Sequence, residues 1–224
     1  MAWLKDVMPF FIRIKMSRRF RLSNDWYSDD GYKIFNKVQV QFNPGLTVVV
    51  GCNGAGKTTL LKQINQTLEN KDIPVLFHSN LTNGADKLKS KAMFRSQYDV
   101  VARIMMSSEG ENIVNVLEFI ANEMGQLSRD NPDAKELWYL FDAIDSGLSV
   151  DNIVEFKQVL IPLVIENNSD KDIYFVISAN EYEFARNENC LDVINGKYLT
   201  FKDYEDYRNF ILKSREQKNK RYDE

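Results

Sequence analysis

Only two cysteines, Cys52 and Cys190, occur in 224 residues, and one of them sits inside a glycine-rich turn. That is too few for a disulfide framework, and a reducing compartment fits. No apolar run approaches the roughly 18 residues that a membrane span requires. Lys5, Asp6, Arg13 and Lys15 break the first segment before it could act as a signal peptide, so a cytoplasmic protein with no membrane partner is expected. Neither sign of charge dominates: 29 Lys and Arg face 32 Asp and Glu, net −3. A polyanion-binding molecule is thereby excluded as a whole, and any nucleic-acid role needs a local basic patch. Repeats and low-complexity segments are absent, and the single histidine, His78, ends a short apolar segment where packing or solvent contact is its expected role.

What is present is an ordinary globular composition, 44% hydrophobic and 27% charged, long enough for one domain over 1–224 with a real core. Its organising stretch is Val48-Val49-Val50-Gly51-Cys52-Asn53-Gly54-Ala55-Gly56-Lys57-Thr58-Thr59-Leu60-Leu61. A β-branched run enters a glycine-rich turn and leaves into a helix-forming segment, and Gly51, Gly56, Lys57 and Thr58 fill the pattern G-x-x-x-x-G-K-[ST]. Glycines let backbone N–H groups turn inward as a nest for phosphate oxygens, and the helix N-terminus adds its partial positive charge. Lys57 is placed to reach β- and γ-phosphates, and Thr58 to offer its hydroxyl to Mg²⁺.

Around this stretch, Phe10 to Phe20 and Tyr32 to Phe42 alternate as half-exposed strands, joined by a polar loop and followed by the Pro44-Gly45 turn. Helical spacing runs from Leu60 to Leu68, Pro74 to Phe77 reads as a short strand, and Lys87 to Met106 as a helix. Ser107-Ser108-Glu109-Gly110-Glu111 is a small polar turn opening an amphipathic helix, a second candidate anion site that also reads as an ordinary capping box. Ser128 to Lys135 is expected as a loop. Leu137 to Asp142 is five apolar residues ending in a carboxylate, a buried strand whose acid lies where ligands sit in open α/β sheets. Asp151 to Ile165 reads as helix, Asp172 to Ser178 as a second buried strand, Asn195-Gly196 as a hairpin turn, and Tyr204 to Arg221 as a charged terminal helix.

The order of phosphate loop, Ser-Ser-Glu-Gly-Glu, strand ending at Asp142 and strand ending at Ser178 resembles the ATP-binding heads of the ABC class over about residues 35 to 185. The likeness is greater to soluble DNA-repair and chromosome-structure ATPases than to membrane transporters. Gly51 to Leu61 is similar to their Walker A, in which Asn53, Gly54, Ala55, Gly56, Lys57, Thr58 and Thr59 would hold ATP. Ser107 to Glu111 is similar to the signature, Leu140-Phe141-Asp142 to Walker B, and Asp145 to Ser149 to the D-loop. The implied fold is an α/β P-loop NTPase: an ABC-type head with N-terminal antiparallel strands, a central mostly parallel sheet and a short helical insert near 85–130.

The resemblance also implies function. ATP would bridge a head-to-tail homodimer, with Ser107, Ser108 and Gly110 of one subunit on the γ-phosphate held by the other, and Asp142 with Thr58 would hold Mg²⁺. The catalytic glutamate expected after Asp142 is replaced by Ala143, which cannot accept a proton; this is either a natural slow switch or a substitution that traps the ATP-bound state. Asp145 is a distant stand-in for that base. Ala179 occupies the switch-histidine position, and Asn180 either bonds the γ-phosphate or a water or caps the next helix. Asn80 and Gln97 compete as glutamine loop, and Tyr32 leads Phe35, Trp26 and Tyr27 for stacking on adenine. The short interval from Lys57 to Ser107 leaves no room for a coiled-coil arm. The partner coupled to dimer closure would be nucleic acid or an effector protein, in DNA repair or phage defence. Arg13 to Arg21 and Lys213 to Arg221 are its basic contacts if they converge and solvated faces if they do not. Two rivals stand beside this reading: a catalytically dead nucleotide-sensing scaffold, and a P-loop small-molecule kinase using Arg95 and Arg103.

Overall fold

The computed structural model describes residues 16–24, 33–79, 109–145 and 148–220, with side chains in the third stretch described from 117 onward. Seven consecutive buried residues in each of β5 (Glu136–Asp142) and β6 (Asp172–Ser178) mark the two central strands. Strands covered on both faces lose the polar alternation of a half-exposed strand, which is why both read as continuous apolar runs. They pair in parallel with each other, β5 with β4 (Val75–Ser79), and β6 with β3 (Gly45–Val50). β7 (Cys190–Asp192) adds in parallel to β3, and β8 (Lys197–Leu199) closes the edge antiparallel to β7, giving the order β4-β5-β6-β3-β7-β8. A separate antiparallel pair is made by β1 (Arg18–Arg21) and β2 (Gln39–Phe42). The fold is therefore the expected one, α/β with a mostly parallel sheet and an N-terminal antiparallel pair.

The two faces of the sheet bury different partners. Trp138 and Leu140 join a cluster with Phe20, Val40 and Phe42 of the antiparallel pair and with Leu60, Leu61 and Ile64 of α1 (Lys57–Glu69). Trp138 stacks on Tyr174 at 4.0 Å, and Phe20 meets its edge at 5.2 Å. Leu137, Tyr139 and Phe141 face the other way, against Ile120 and Met124 of α2 (Glu109–Asp130) and the segment after the site. That segment is α3 (Val150–Glu155), a π-helical stretch Phe156–Leu160, and α4 (Ile161–Asn167). Pro162 has no N–H for a helical bond back toward Gln158, and the π turn absorbs that gap. α5 (Tyr182–Ala185) and α6 (Tyr204–Asn219) complete the chain.

Several expected elements differ in extent. Among the described residues of the second N-terminal segment only Gln39–Phe42 forms a strand, because Asn24 occupies the backbone of Phe35: its Oδ1 accepts from Phe35 N–H at 2.8 Å and its Nδ2 donates to Phe35 C=O at 3.1 Å. A side-chain amide thus replaces the ladder partner. α2 continues through Ser128 to Asp130 instead of stopping before it, and Asn131 Nδ2 ends it on the Leu127 carbonyl at 2.8 Å. The helix expected from Asp151 begins one residue earlier, with Ser149 in the N-cap position. The segments Phe10 to Lys15 and Lys87 to Met106 lie outside the described residues.

Candidate functional site

Parallel register aligns Ser79, Asp142, Ser178 and Val49 across four neighbouring strands at their C-terminal ends. Asp142, 1% exposed, therefore sits between two serines. Its Oδ1 accepts from Ser178 Oγ at 2.6 Å and from Thr58 Oγ1 at 3.1 Å, and its Oδ2 accepts from Ser79 Oγ at 3.3 Å. Three hydroxyl donors thus satisfy the buried carboxylate. Thr58 belongs to the first turn of α1, so one hydrogen bond ties the glycine-rich loop to the end of β5.

Lys57 opens α1 and turns back into the loop. Its Nζ donates to Gly51 C=O at 2.6 Å, Cys52 C=O at 3.3 Å and Asn180 Oδ1 at 2.9 Å. Burial lowers the ammonium below its ordinary value, against the opposing pull of Cys52, Asp145 and Asp142. The loop conformation depends on glycine. Gly54 and Gly56 have φ of +77° and +111°, and a Cβ at Gly56 would lie 2.5 Å from Ile34 Cγ2. Asp145 fixes the opposite wall: its Oδ2 accepts from Asn180 N–H at 2.5 Å and Glu181 N–H at 2.8 Å. Its other oxygen, buried, has no hydrogen-bond partner among the described residues.

The donor chemistry suits Mg²⁺. Thr58 Oγ1 and Asp142 Oδ1 are adjacent hard oxygens, and this ion takes one or two protein oxygens while phosphates and waters fill its octahedron. Two buried carboxylates, Asp142 and Asp145, and the Lys57 ammonium lie at this end of the sheet, with the Lys218 ammonium on the outer side of the loop at Asn53 C=O.

A family model described as an AAA domain matches residues 30–224. The chain belongs to this AAA domain family. A protein of Pyrococcus abyssi (strain GE5 / Orsay) named "Putative ABC transporter ATP-binding protein" is 30% identical over 115 residues, 51% of this chain and 42% of that protein, so the match covers less than half of the relative's length.

Within the AAA domain, the structure brings together Asn53 to Thr59, Asp142, Ala143 and Asn180. Asn180 is not the helix cap: Glu181 holds that position, and the Asn180 side chain is on Lys57. Ala143 follows β5 at φ +53°, its N–H donating to Ser178 C=O at 3.1 Å and Ser178 Oγ at 3.0 Å. Phe35, 1% exposed, is packed under the loop and cannot stack on a base. Tyr32, Trp26, Tyr27, Ser107, Ser108, Asn80, Gln97, Arg95 and Arg103 lie outside the described residues; Gly110 is in the first turn of α2. His78 is buried with its ring 6.2 Å from Phe141, a packing role. Cys52 is buried in the core, and burial pushes the Cys190 thiol up to about 12; both are free.

Sequence reading missed Ser79 and the Ser178 hydroxyl as partners of Asp142. Both end apolar segments, as Asp142 does, and that shared position was the available signal. The two basic stretches do not meet in Arg18 and Lys218: Arg18 forks onto Glu136 at the N-terminal end of β5, at 2.8 and 2.5 Å, while Lys218 reaches the loop at the opposite end. No helix among the described residues is long and apolar enough to cross a membrane.

Proposed function

We propose that this AAA domain is an ABC-type head that binds MgATP on Gly51 to Thr59, closes around it as a homodimer, and hydrolyses it slowly. The observation that carries the reading is the convergence of Lys57, Thr58 and Asp142 at one end of the sheet, with Asn180 as the fourth member. The loop backbone and Lys57 hold the β- and γ-phosphates, and Thr58 and Asp142 hold Mg²⁺, which supplies charge neutralisation between those phosphates. Lys57 would exchange Asn180 Oδ1 for a phosphate oxygen, leaving the amide free to orient a water or the γ-phosphate. Proton removal from that water is the missing step, since Ala143 carries only a methyl. The described relative is named for ATP binding, and the reading of this chain as an ABC-type head draws on it.

Asp142→Asn keeps one acceptor oxygen for the Ser178 and Thr58 hydroxyls, sets an amide donor against Ser79, whose hydroxyl can turn to accept, and removes the charge. MgATP affinity is expected to fall about tenfold, to the level the parent shows for ATP in EDTA, one charge-assisted contact being worth roughly that factor. Isothermal titration with and without Mg²⁺ measures it; an unchanged Mg²⁺ dependence removes Asp142 from the metal site.

Dimer closure rests on Ser107, Ser108 and Gly110, which stand immediately before and within the N-terminal turn of α2. Light scattering is expected to give twice the monomer mass with MgATP and the monomer mass without nucleotide. A monomer in both states overturns the bridge. The partner class is nucleic acid or an effector protein. A nucleotide-sensing scaffold is the second reading, and Ala143 favours it; it differs in that restoring a glutamate there would not raise turnover.

A further inference from the structure

α6 carries Tyr207, Ile211, Ser214 and Lys218 at spacings of four, three and four, which places them on one stripe of the helix. Only Ile211 is apolar in the usual sense of a core stripe, and it packs against both core clusters. The other three make hydrogen bonds into the phosphate site. Ser214, 2% exposed, accepts the Cys52 N–H on its Oγ at 3.0 Å. Lys218 donates to Asn53 C=O at 3.3 Å, and its aliphatic stem lies over Gly54, where a Cβ would be 3.6 Å from Cδ. Tyr207 donates to Asn180 C=O at 2.6 Å, its ring set between Phe201 at 5.1 Å and Tyr182 at 5.5 Å.

Two of these three contacts, those of Ser214 and Tyr207, fall on residues that hold Lys57. Cys52 gives its N–H to Ser214 and its C=O to Lys57; Asn180 gives its N–H to Asp145, receives Tyr207 on its C=O and receives Lys57 on its side chain. Two of the three residues around the Lys57 ammonium, Cys52 and Asn180, therefore rest on one helix. We propose that α6 is a clasp on the phosphate site, with Ser214 positioning the loop and Tyr207 positioning Asn180, so that docking of α6 and occupancy by nucleotide favour each other. This rests on the proposed nucleotide site. A loop conformation stabilised by Ser214 is the one a nucleotide binds, and linkage makes the coupling reciprocal: the factor by which α6 docking tightens nucleotide is the factor by which nucleotide tightens α6 docking.

The test uses the full chain and a fluorescent ATP analogue with Mg²⁺. Ser214→Ala, which removes one buried acceptor, is expected to weaken binding about fivefold, the effect of one net hydrogen bond. In the parent, saturating MgATP is expected to slow amide exchange over 204–219 by a similar factor, and in Ser214→Ala that slowing is lost. Arg208→Ala, exposed on the same helix, leaves both readouts unchanged. Should Ser214→Ala fail to fold, Tyr207→Phe removes only a hydroxyl and is read the same way. Analogue affinity within twofold of the parent in a folded variant, or α6 exchange indifferent to MgATP, overturns the clasp while the nucleotide site stands. Absence of binding by the parent overturns both.

Discussion

Lys57→Met is expected to weaken MgATP binding by roughly 100-fold, because a lysine shared by two phosphates makes charge-assisted contacts worth about 3 kcal/mol together. The nucleotide-free protein should be at least as stable as the parent. In that state the ammonium is buried among three carbonyl oxygens with no carboxylate among the described residues in hydrogen-bonding reach, and a buried charge without a direct ion pair is costly. Methionine has nearly the same length and none of the charge. The pH dependence follows from the lowered folded-state value of Lys57. Between the folded and unfolded values the unfolded chain binds more protons, so stability rises with pH across that window, and below it the cost is fully present. Lys57→Met should flatten this rise. Thermal melts between neutral and alkaline pH, beside calorimetric titration of MgATP, check both halves. Equal MgATP affinity in the two proteins would sink the phosphate-site assignment, and a melt well below the parent's would make Lys57 a structural keystone instead.

Ala143→Glu is the complementary gain. General-base assistance is worth about 10²- to 10⁴-fold, so steady-state phosphate release is expected to rise at least about 100-fold. The backbone does not oppose the change. Ala143 already sits at φ +53°, a conformation about as strained for alanine as for glutamate, so the substitution adds a carboxylate without a new backbone cost. Ala143→Gly separates the two effects: relief of the positive φ should stabilise the protein by about 1 kcal/mol while turnover stays at the parent level. If Ala143→Glu folds, binds MgATP and still does not turn over faster, the scaffold reading replaces the ATPase one.

How much of this was legible in the sequence depended on whether the signal was local. Val48 to Leu61 announces strand, loop and helix within one window, and the buried runs ending at Asp142 and Ser178 announce the strands that complete the sheet. The adjacency of Thr58 to Asp142 followed from the fold those segments imply. The α6 stripe was not legible, because Tyr207, Ser214 and Lys218 resemble neither an apolar face nor a motif, and their partners lie over 150 positions away for Ser214 and Lys218. The irregular path before β2 was hidden for a similar reason: alternation in Tyr32 to Phe42 is real, but one asparagine takes the backbone that a neighbouring strand would have taken. Asn180 could not be assigned between cap and ligand until the position of Lys57 was known.

The row Ser79, Asp142, Ser178 has a consequence for where errors in this protein will show. Side chains alternate along a strand, so a slip of β5 by one position would send Asp142 toward the apolar layer and bring Phe141 beside Thr58. The elements that forbid this slip are hydrophobic and lie several residues away: Trp138, opposite both Val75 and Tyr174, is the interlock. The sheet's interior thus serves as the vernier scale for its polar rim, and damage at Trp138 would be read out as misplaced oxygen atoms at the phosphate end.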